Sequence, residues 1–136
     1  MNFKSLTVAI LTGFIYLLSV SFQSANSLQG TWEYNGGKYN RQVVTSSPVL
    51  KLRKVYTASG YQVLEIYPNG KTVKNEEGTY TIKNYIYEET QNYSNAHSSL
   101  KSKIMQYTYT IKNNVLTIKG KLTNKWPVEE YWKKVQ

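Results

Sequence analysis

Residues 104 to 122 read IMQYTYTIKNNVLTIKGKL. Apolar or aromatic side chains alternate with polar ones in both halves of this stretch, the period-two pattern of strands with one buried face. Asn113 and Asn114 stand between the halves, and asparagine accepts the positive φ angles of a tight turn. The stretch therefore predicts an antiparallel hairpin with Tyr107, Tyr109 and Ile118 on its buried side.

The chain from Leu28 onward repeats this pattern of short alternating runs separated by turn residues. Asn35-Gly36-Gly37 is expected to close the first run, and Pro68-Asn69-Gly70 predicts a tight hairpin turn. Pro127 predicts a strand start or an edge position for the last run. The polar residues 93–102 read as a longer loop. Strands are predicted over residues 30–34, 49–57, 61–67, 71–75, 78–83, 85–92, 104–112, 115–122 and 126–135.

Such an order of strands predicts an all-β fold, an antiparallel up-and-down meander of eight or nine strands. A long open meander would leave unpaired N–H and C=O groups at its edges, which invite aggregation. Closing the sheet into a small lipocalin-like barrel removes those edges. A two-sheet sandwich is the alternative fold.

Composition narrows the possible functions of the chain. It has 136 residues, which suit one domain, and it has no cysteine. Disulfides, thiolate nucleophiles, cysteine-based metal sites and lipid attachment to an N-terminal cysteine are therefore excluded. The formal net charge of +9 favours an anionic surface or an envelope protein as a partner. Because the lysines are scattered and a binding patch needs clustered charge, solubility is the favoured explanation of the net charge.

The first 27 residues are typical of a secretory signal peptide. Lys4 supplies a positive start, residues 6–20 are almost wholly apolar, and small residues follow. Ser19-Val20-Ser21 and Ala25-Asn26-Ser27 are the two cleavage frames. An uncleaved anchor is the alternative, although the apolar run is short of the ~20 residues that span a bilayer. We expect residues 1–27 to be removed and residues 28–136 to form a periplasmic or secreted domain with no further integral membrane segment.

Two short motifs at the chain ends carry a resemblance. Gly30-Thr31-Trp32 opens the domain and residues 130–134, EYWKK, nearly end it, with Gly78-Thr79-Tyr80 between them. This order resembles the small lipocalin-like (calycin-type) domains that bacteria export, most of them of uncharacterised function. The resemblance implies that Trp32 packs against a basic residue of the last strand, here Lys134, as a structural plug. Lysine stands where the pattern has arginine, so the stacking of a planar guanidinium is lost.

The barrel interior is predicted to be rich in tyrosine. Tyr56, Tyr80, Tyr107 and Tyr109 are the candidate ligand-binding residues, because an apolar wall with a few hydroxyl groups is typical of small-molecule pockets. The other residues expected inside are Trp32, Leu50, Leu52, Leu64, Ile66, Met105, Leu116 and Ile118. We therefore expect a binding protein for a small apolar, amphipathic or lipid-like molecule. The alternative is a filled barrel that serves as an envelope-associated interaction or structural module.

Catalysis is not expected. His97 is the only histidine, and a lone histidine cannot supply the three or four ligands of a metal site. The chain has no aspartate or cysteine, so neither a Ser-His-Asp nor a Cys-His arrangement can be assembled. Neighbouring glutamates on a strand point to opposite faces, so no adjacent pair forms a glycosidase dyad. An enzyme would need two glutamates from different strands to converge in a cleft, and this is the alternative to a non-catalytic protein. One inward glutamate, Glu89 or Glu130, could pair with a lysine or fix a ligand. No cofactor motif is present, and export argues against nucleic-acid binding by the alternating tyrosines and lysines.

Overall fold

A computed structural model describes residues 27–96, 98–123 and 125–136. The first 26 residues of the predicted signal peptide and His97 lie outside the described residues. No helix within the described ranges is long and apolar enough to cross a membrane. The described secondary structure consists of strands: β1 Gly30–Tyr39, β2 Gln42–Val44, β3 Lys51–Tyr56, β4 Gly60–Ile66, β5 Thr72–Lys83, β6 Ile86–Ser94, β7 Ile104–Lys112, β8 Val115–Lys121 and β9 Pro127–Lys134.

The sheet closes into a barrel, as the sequence predicts. Strands β3 to β9 pair with their neighbours in chain order, and β1 pairs with both β3 and β9. All these pairings are antiparallel, and Trp32 lies opposite Lys54 on one side and Lys134 on the other. The short strand β2 adds to the far end of β1, outside the ring of eight. The closed ladder excludes the two-sheet sandwich.

Two tight turns match the sequence prediction. Gly70 has a φ of +82° between β4 and β5, where its N–H donates to the Tyr67 carbonyl oxygen. Asn113 and Asn114, with φ angles of 52° and 59°, join β7 to β8. Pro127 is the first residue of β9. The two turns can be predicted from local sequence, because few residues other than glycine and asparagine tolerate positive φ angles.

The predicted end of the first strand is wrong. Strand β1 continues through Asn35-Gly36-Gly37, with a register shift between Tyr34 and Gly37, and turns only at Asn40. A β-bulge absorbs the extra residues, and glycine is required there: a Cβ at Gly37 would lie 2.5 Å from the Glu129 carbonyl oxygen. The predicted strands 71–75 and 78–83 are likewise one strand, β5, with an irregularity opposite β4.

The inward face of β4 also differs from the prediction. Leu64 and Ile66 lie opposite Arg53 and Lys51 on the outward face, whereas Tyr61 and Val63 point inward. The stretch has apolar residues on both faces, so alternation alone did not identify the buried one. Leu50 precedes β3 and is only half buried. The other residues expected inside do reach the interior or its edge: Trp32, Leu52, Tyr56, Tyr80, Met105, Tyr107, Tyr109, Leu116 and Ile118.

Strand direction defines the two ends of the barrel. The closed end lies where β1 begins and β3 ends, and the mouth lies where β1 ends and β3 begins. Leu28 covers the closed end and is 1% exposed. Along β6 the inward residues run from Tyr87 through Glu89 to Gln91 toward the mouth. The interior therefore changes from aromatic at the closed end to polar near the mouth.

Candidate functional site

The four tyrosines proposed for ligand binding are all buried, but they occupy different places. Tyr56 and Tyr80 pack edge to face with ring centroids 5.1 Å apart, and the Tyr80 hydroxyl donates to the Thr57 carbonyl oxygen. Tyr109 lies near the end of β7, toward the closed end. Tyr107 stacks on Tyr87 at 5.8 Å and is the member of the four that contacts the cavity described below.

Trp32 and Lys134 meet at the closed end of the barrel. The Lys134 Nζ lies 4.8 Å from the centroid of the Trp32 ring, and it also donates to the Gln29 carbonyl oxygen. The indole Nε1 of Trp32 donates to the Leu28 carbonyl oxygen at 2.8 Å. A lysine can thus cover the indole through its stem and place its charge over the ring.

The mouth half of the interior contains a cavity of about 280 Å³. Its wall mixes aliphatic and aromatic side chains with charged and amide groups from several strands. Two of its charged residues lie between apolar neighbours on the same strand: Lys54 between Leu52 and Tyr56, and Glu130 between Val128 and Trp132. The lining residues are Tyr34, Tyr39, Leu52, Lys54, Val63, Asn75, Glu76, Tyr87, Glu89, Gln91, Leu100, Met105, Tyr107, Ile118, Leu122, Val128, Glu130 and Trp132.

A buried ion pair lies at the floor of this cavity. The Lys54 Nζ is 2.5 Å from Oε2 of Glu89, and both residues are less than one tenth exposed. The Tyr87 hydroxyl donates to the same carboxylate oxygen, and the Tyr56 hydroxyl donates to that of Tyr87 at 3.1 Å. Such a chain of hydrogen bonds satisfies groups that would be costly to bury alone.

Aromatic rings enclose the Lys54 ammonium. Its Nζ lies 4.4 Å from the ring centroid of Tyr61, 5.4 Å from that of Tyr56 and 5.9 Å from that of Trp132. Burial by itself lowers the pKa of Lys54, but the surrounding carboxylates, Glu89 above all, raise it well above its usual value. Lys54 is therefore positively charged at any physiological pH.

Glu76 is the second carboxylate of the interior. The Tyr61 hydroxyl donates to its Oε1 at 2.5 Å. Burial raises the pKa of Glu76; the positive charge of Lys54 opposes this effect, and the negative charge of Glu89 adds to it. Glu76 is consequently easier to protonate than an ordinary glutamate.

Glu130 is the third interior carboxylate, and it projects from β9 nearer the mouth. It accepts hydrogen bonds from the Tyr39 hydroxyl at 2.8 Å and from Nε1 of Trp132 at 2.9 Å. The Tyr34 hydroxyl in turn donates to that of Tyr39 at 3.3 Å. These donors hold the carboxylate in one orientation at the cavity wall.

The burial of Glu76 leads to a prediction about pH. Between the ordinary value near 4.5 and the raised folded value, the folded state binds more protons at Glu76 than the unfolded state does. The stability that protonated Glu76 gives to the folded state is therefore fully present below pH 4.5. It is lost as the pH rises through the raised pKa of the folded state. Glu76→Gln cannot titrate, so its free energy of unfolding should exceed that of the wild type by an amount that grows with pH.

Urea unfolding at a series of pH values measures this difference directly. Glu77→Gln is the matched control, because the neighbouring Glu77 has a side chain that is 40% exposed, and its pKa is lowered by a hydrogen bond and ion pair with Lys74. That variant should lose stability relative to the wild type as pH rises. A pH-independent difference between Glu76→Gln and the wild type would contradict the prediction.

Sequence reasoning missed most of the polar interior. Glu89 does pair with a lysine, as considered for either Glu89 or Glu130, but Lys54 itself, Glu76 and Gln91 were not identified. A signal for Lys54 existed, since residue 54 falls between Leu52 and Tyr56 on their inward face. No group of three or more potential ligands able to hold a metal ion occurs in the described ranges.

Comparison with known proteins identifies the fold. No protein-family model and no curated protein matches this sequence. A lipocalin-like protein from Bacteroides uniformis superposes with a TM-score of 0.55 at 12% identity, over 79% of this chain and 98% of that one. An uncharacterized protein from Bacteroides eggerthii superposes with a TM-score of 0.60 at 9% identity, over 80% of this chain and 100% of that one. The chain therefore has the fold of a lipocalin-like barrel.

Proposed function

We propose that this protein is an exported binding protein that holds one small amphipathic molecule in its barrel interior. The cavity of about 280 Å³ is the observation that carries the proposal. Small-molecule sites are mostly apolar, with a few fixed polar groups, and have volumes of roughly 300–1,000 Å³. This cavity lies just below that range, so the ligand is small.

The distribution of polar groups supports binding over a purely structural role. The closed end is already filled by Trp32, Tyr56 and Tyr80, which provide the apolar core. At the floor of the cavity, the buried charges of Lys54 and Glu89 cost desolvation energy that an apolar pair of similar volume would avoid. Retaining charged groups beside a cavity fits ligand recognition better than it fits a filled interaction module.

We propose binding without catalysis. A general acid or base has to be free to exchange a proton with a bound substrate. Glu89 is held by Lys54 and Tyr87, and Glu130 accepts hydrogen bonds from two side chains. These contacts fix the carboxylates as part of the wall.

Export is the second part of the proposal, and it rests on the apolar segment that precedes the barrel. Leu28 packs in the core and its carbonyl oxygen accepts the hydrogen bond from Trp32. Processing therefore has to leave Leu28 on the mature chain, which both predicted cleavage frames do. The mass of the exported protein would distinguish the two frames from each other and from an uncleaved anchor.

Native mass spectrometry of the exported protein, purified under mild conditions from its own host, tests the binding function. We expect a reproducible additional mass that disappears on denaturation. Val128→Phe should abolish this adduct, because Val128 is 5% exposed at the cavity wall and a phenyl ring in its place would fill the cavity. Val43→Phe is the matched control, since Val43 is 71% exposed on β2.

The adduct should survive in Val43→Phe. Thermal melts of both variants establish that each of them is folded. A clean apo mass in the wild type under several purification conditions would overturn the carrier function and favour the envelope-associated module.

A further inference from the structure

The polar groups on the mouth side of the cavity are chiefly hydrogen-bond acceptors. Glu76 from β5, Gln91 from β6 and Glu130 from β9 all line it. Glu76 and Glu130 contribute carboxylates, and no ion pair joins either of them to a lysine or arginine of the described chain. Hydroxyl and indole donors hold them in place without neutralising their charge.

Gln91 adds an acceptor that has no hydrogen-bond partner among the described residues. The residue is 6% exposed, and its Oε1 receives no hydrogen bond from any described residue. A buried carbonyl oxygen is nearly always hydrogen-bonded in a native protein. Because Gln91 lines the cavity, a molecule bound there can supply the N–H or O–H group that donates to Oε1.

The charges that line the cavity do not balance. Glu76, Glu89 and Glu130 supply three carboxylates, whereas Lys54 is the only cation among the lining residues that the structure describes. Lys54 lies directly against Glu89 at 2.5 Å and is enclosed by aromatic rings. With that pair satisfied, the remaining groups toward the mouth leave an excess of negative charge in a site of low dielectric constant.

We propose that the ligand is an amphipathic cation, an ammonium or guanidinium group on a short apolar chain, with its N–H donors directed at Gln91 Oε1 and the carboxylates of Glu76 and Glu130. This inference rests on the proposed carrier function and specifies the chemistry of its ligand. Both cationic groups offer several N–H donors and no acceptor, which is the complement of this set of acceptors. A bound cation also stabilises the ionised form of Glu76 against the effect of burial.

The apolar part of the ligand has a complementary wall. Leu52, Met105, Leu122 and Val128 line the same cavity and offer only aliphatic or thioether surface. An anionic ligand, by contrast, would need a free cation inside. Lys54 is already paired with Glu89, so a carboxylate ligand would have to displace that contact and approach two further carboxylates.

Binding of probes that each contain a six-carbon chain to the mature exported protein tests the inference. Isothermal titration calorimetry would compare hexylammonium, hexylguanidinium, hexanol and hexanoate at one ionic strength. We expect at least one of the two cations to bind about tenfold more tightly than both hexanol and hexanoate. Glu76→Gln and Glu130→Gln should each reduce that preference about tenfold or more.

Glu77→Gln and Glu129→Gln are matched controls. Glu77 and Glu129 are the outward-facing neighbours of Glu76 and Glu130, so these two substitutions should leave binding unchanged. If hexanol or hexanoate bound as tightly as the cations, the proposal of a cationic ligand would be overturned, but the carrier function would remain. Failure of all four probes, together with a clean apo mass of the exported protein, would overturn both. A preference for cations that survives both interior substitutions would also overturn the assignment of this site.

Discussion

Lys54→Met is expected to lower the free energy of unfolding by about 3–5 kcal/mol. Methionine keeps most of the length of the side chain, so little packing is lost. The substitution does remove the cation 2.5 Å from Glu89, whose carboxylate is then buried without a counter-charge. Removing one partner of a buried pair costs far more than the pair contributes, because the other charge remains desolvated.

Equilibrium urea unfolding of the mature domain measures this loss. Lys51→Met is the matched control on the same strand: its ion pair with Glu33 spans 3.5 Å and its side chain is 51% exposed. An exposed pair of this kind contributes about 0–1 kcal/mol. The double variant Lys54→Met/Glu89→Gln should recover much of the lost stability. If Lys54→Met cost no more than Lys51→Met, the buried pair would not matter for folding.

Trp32→Ala is expected to cost about 3–5 kcal/mol, the usual range for deleting a buried aromatic side chain. The residue is 1% exposed at the closed end, where Leu28 covers it and Lys134 lies over its ring. The truncation would leave a cavity between the first and last strands, and the Leu28 carbonyl oxygen would lose its donor.

Thermal and urea unfolding with Trp126→Ala as a control would check this value, since Trp126 is 50% exposed and should cost much less. Lys134→Met separates the charge from the packing, because it keeps the stem over the ring and removes the ammonium. Its cost should be about 1 kcal/mol or less. Equal losses in Trp32→Ala and Trp126→Ala would contradict a structural role for the closed end.

The charge of the interior is opposite to that of the whole chain. A net charge of +9 favours anionic partners in solution or at a surface. Inside the barrel, three carboxylates outnumber the one ammonium group of Lys54, and this balance favours a bound cation. The two statements are compatible, because net charge acts through solvent over about a Debye length, whereas binding depends on the groups in direct contact.

The sequence by itself determined the class of fold and much of the strand order. Alternation in residues 104–122 depends only on local side-chain direction, and both strands of that hairpin have the predicted inward face. The turns at Gly70 and at Asn113–Asn114 depend on local backbone preference. Barrel closure followed from a general requirement, that sheet edges be paired, and needed no knowledge of particular contacts.

Only the tertiary structure decided which polar groups meet inside. Lys54 and Glu89 are 35 residues apart, and their contact depends on how the strands between them are paired and curved. The bulge in β1 and the buried face of β4 likewise depend on partner strands. A charge can be buried only where another strand supplies its counter-charge. The chemistry of this interior was therefore set by non-local pairing, which local periodicity does not contain.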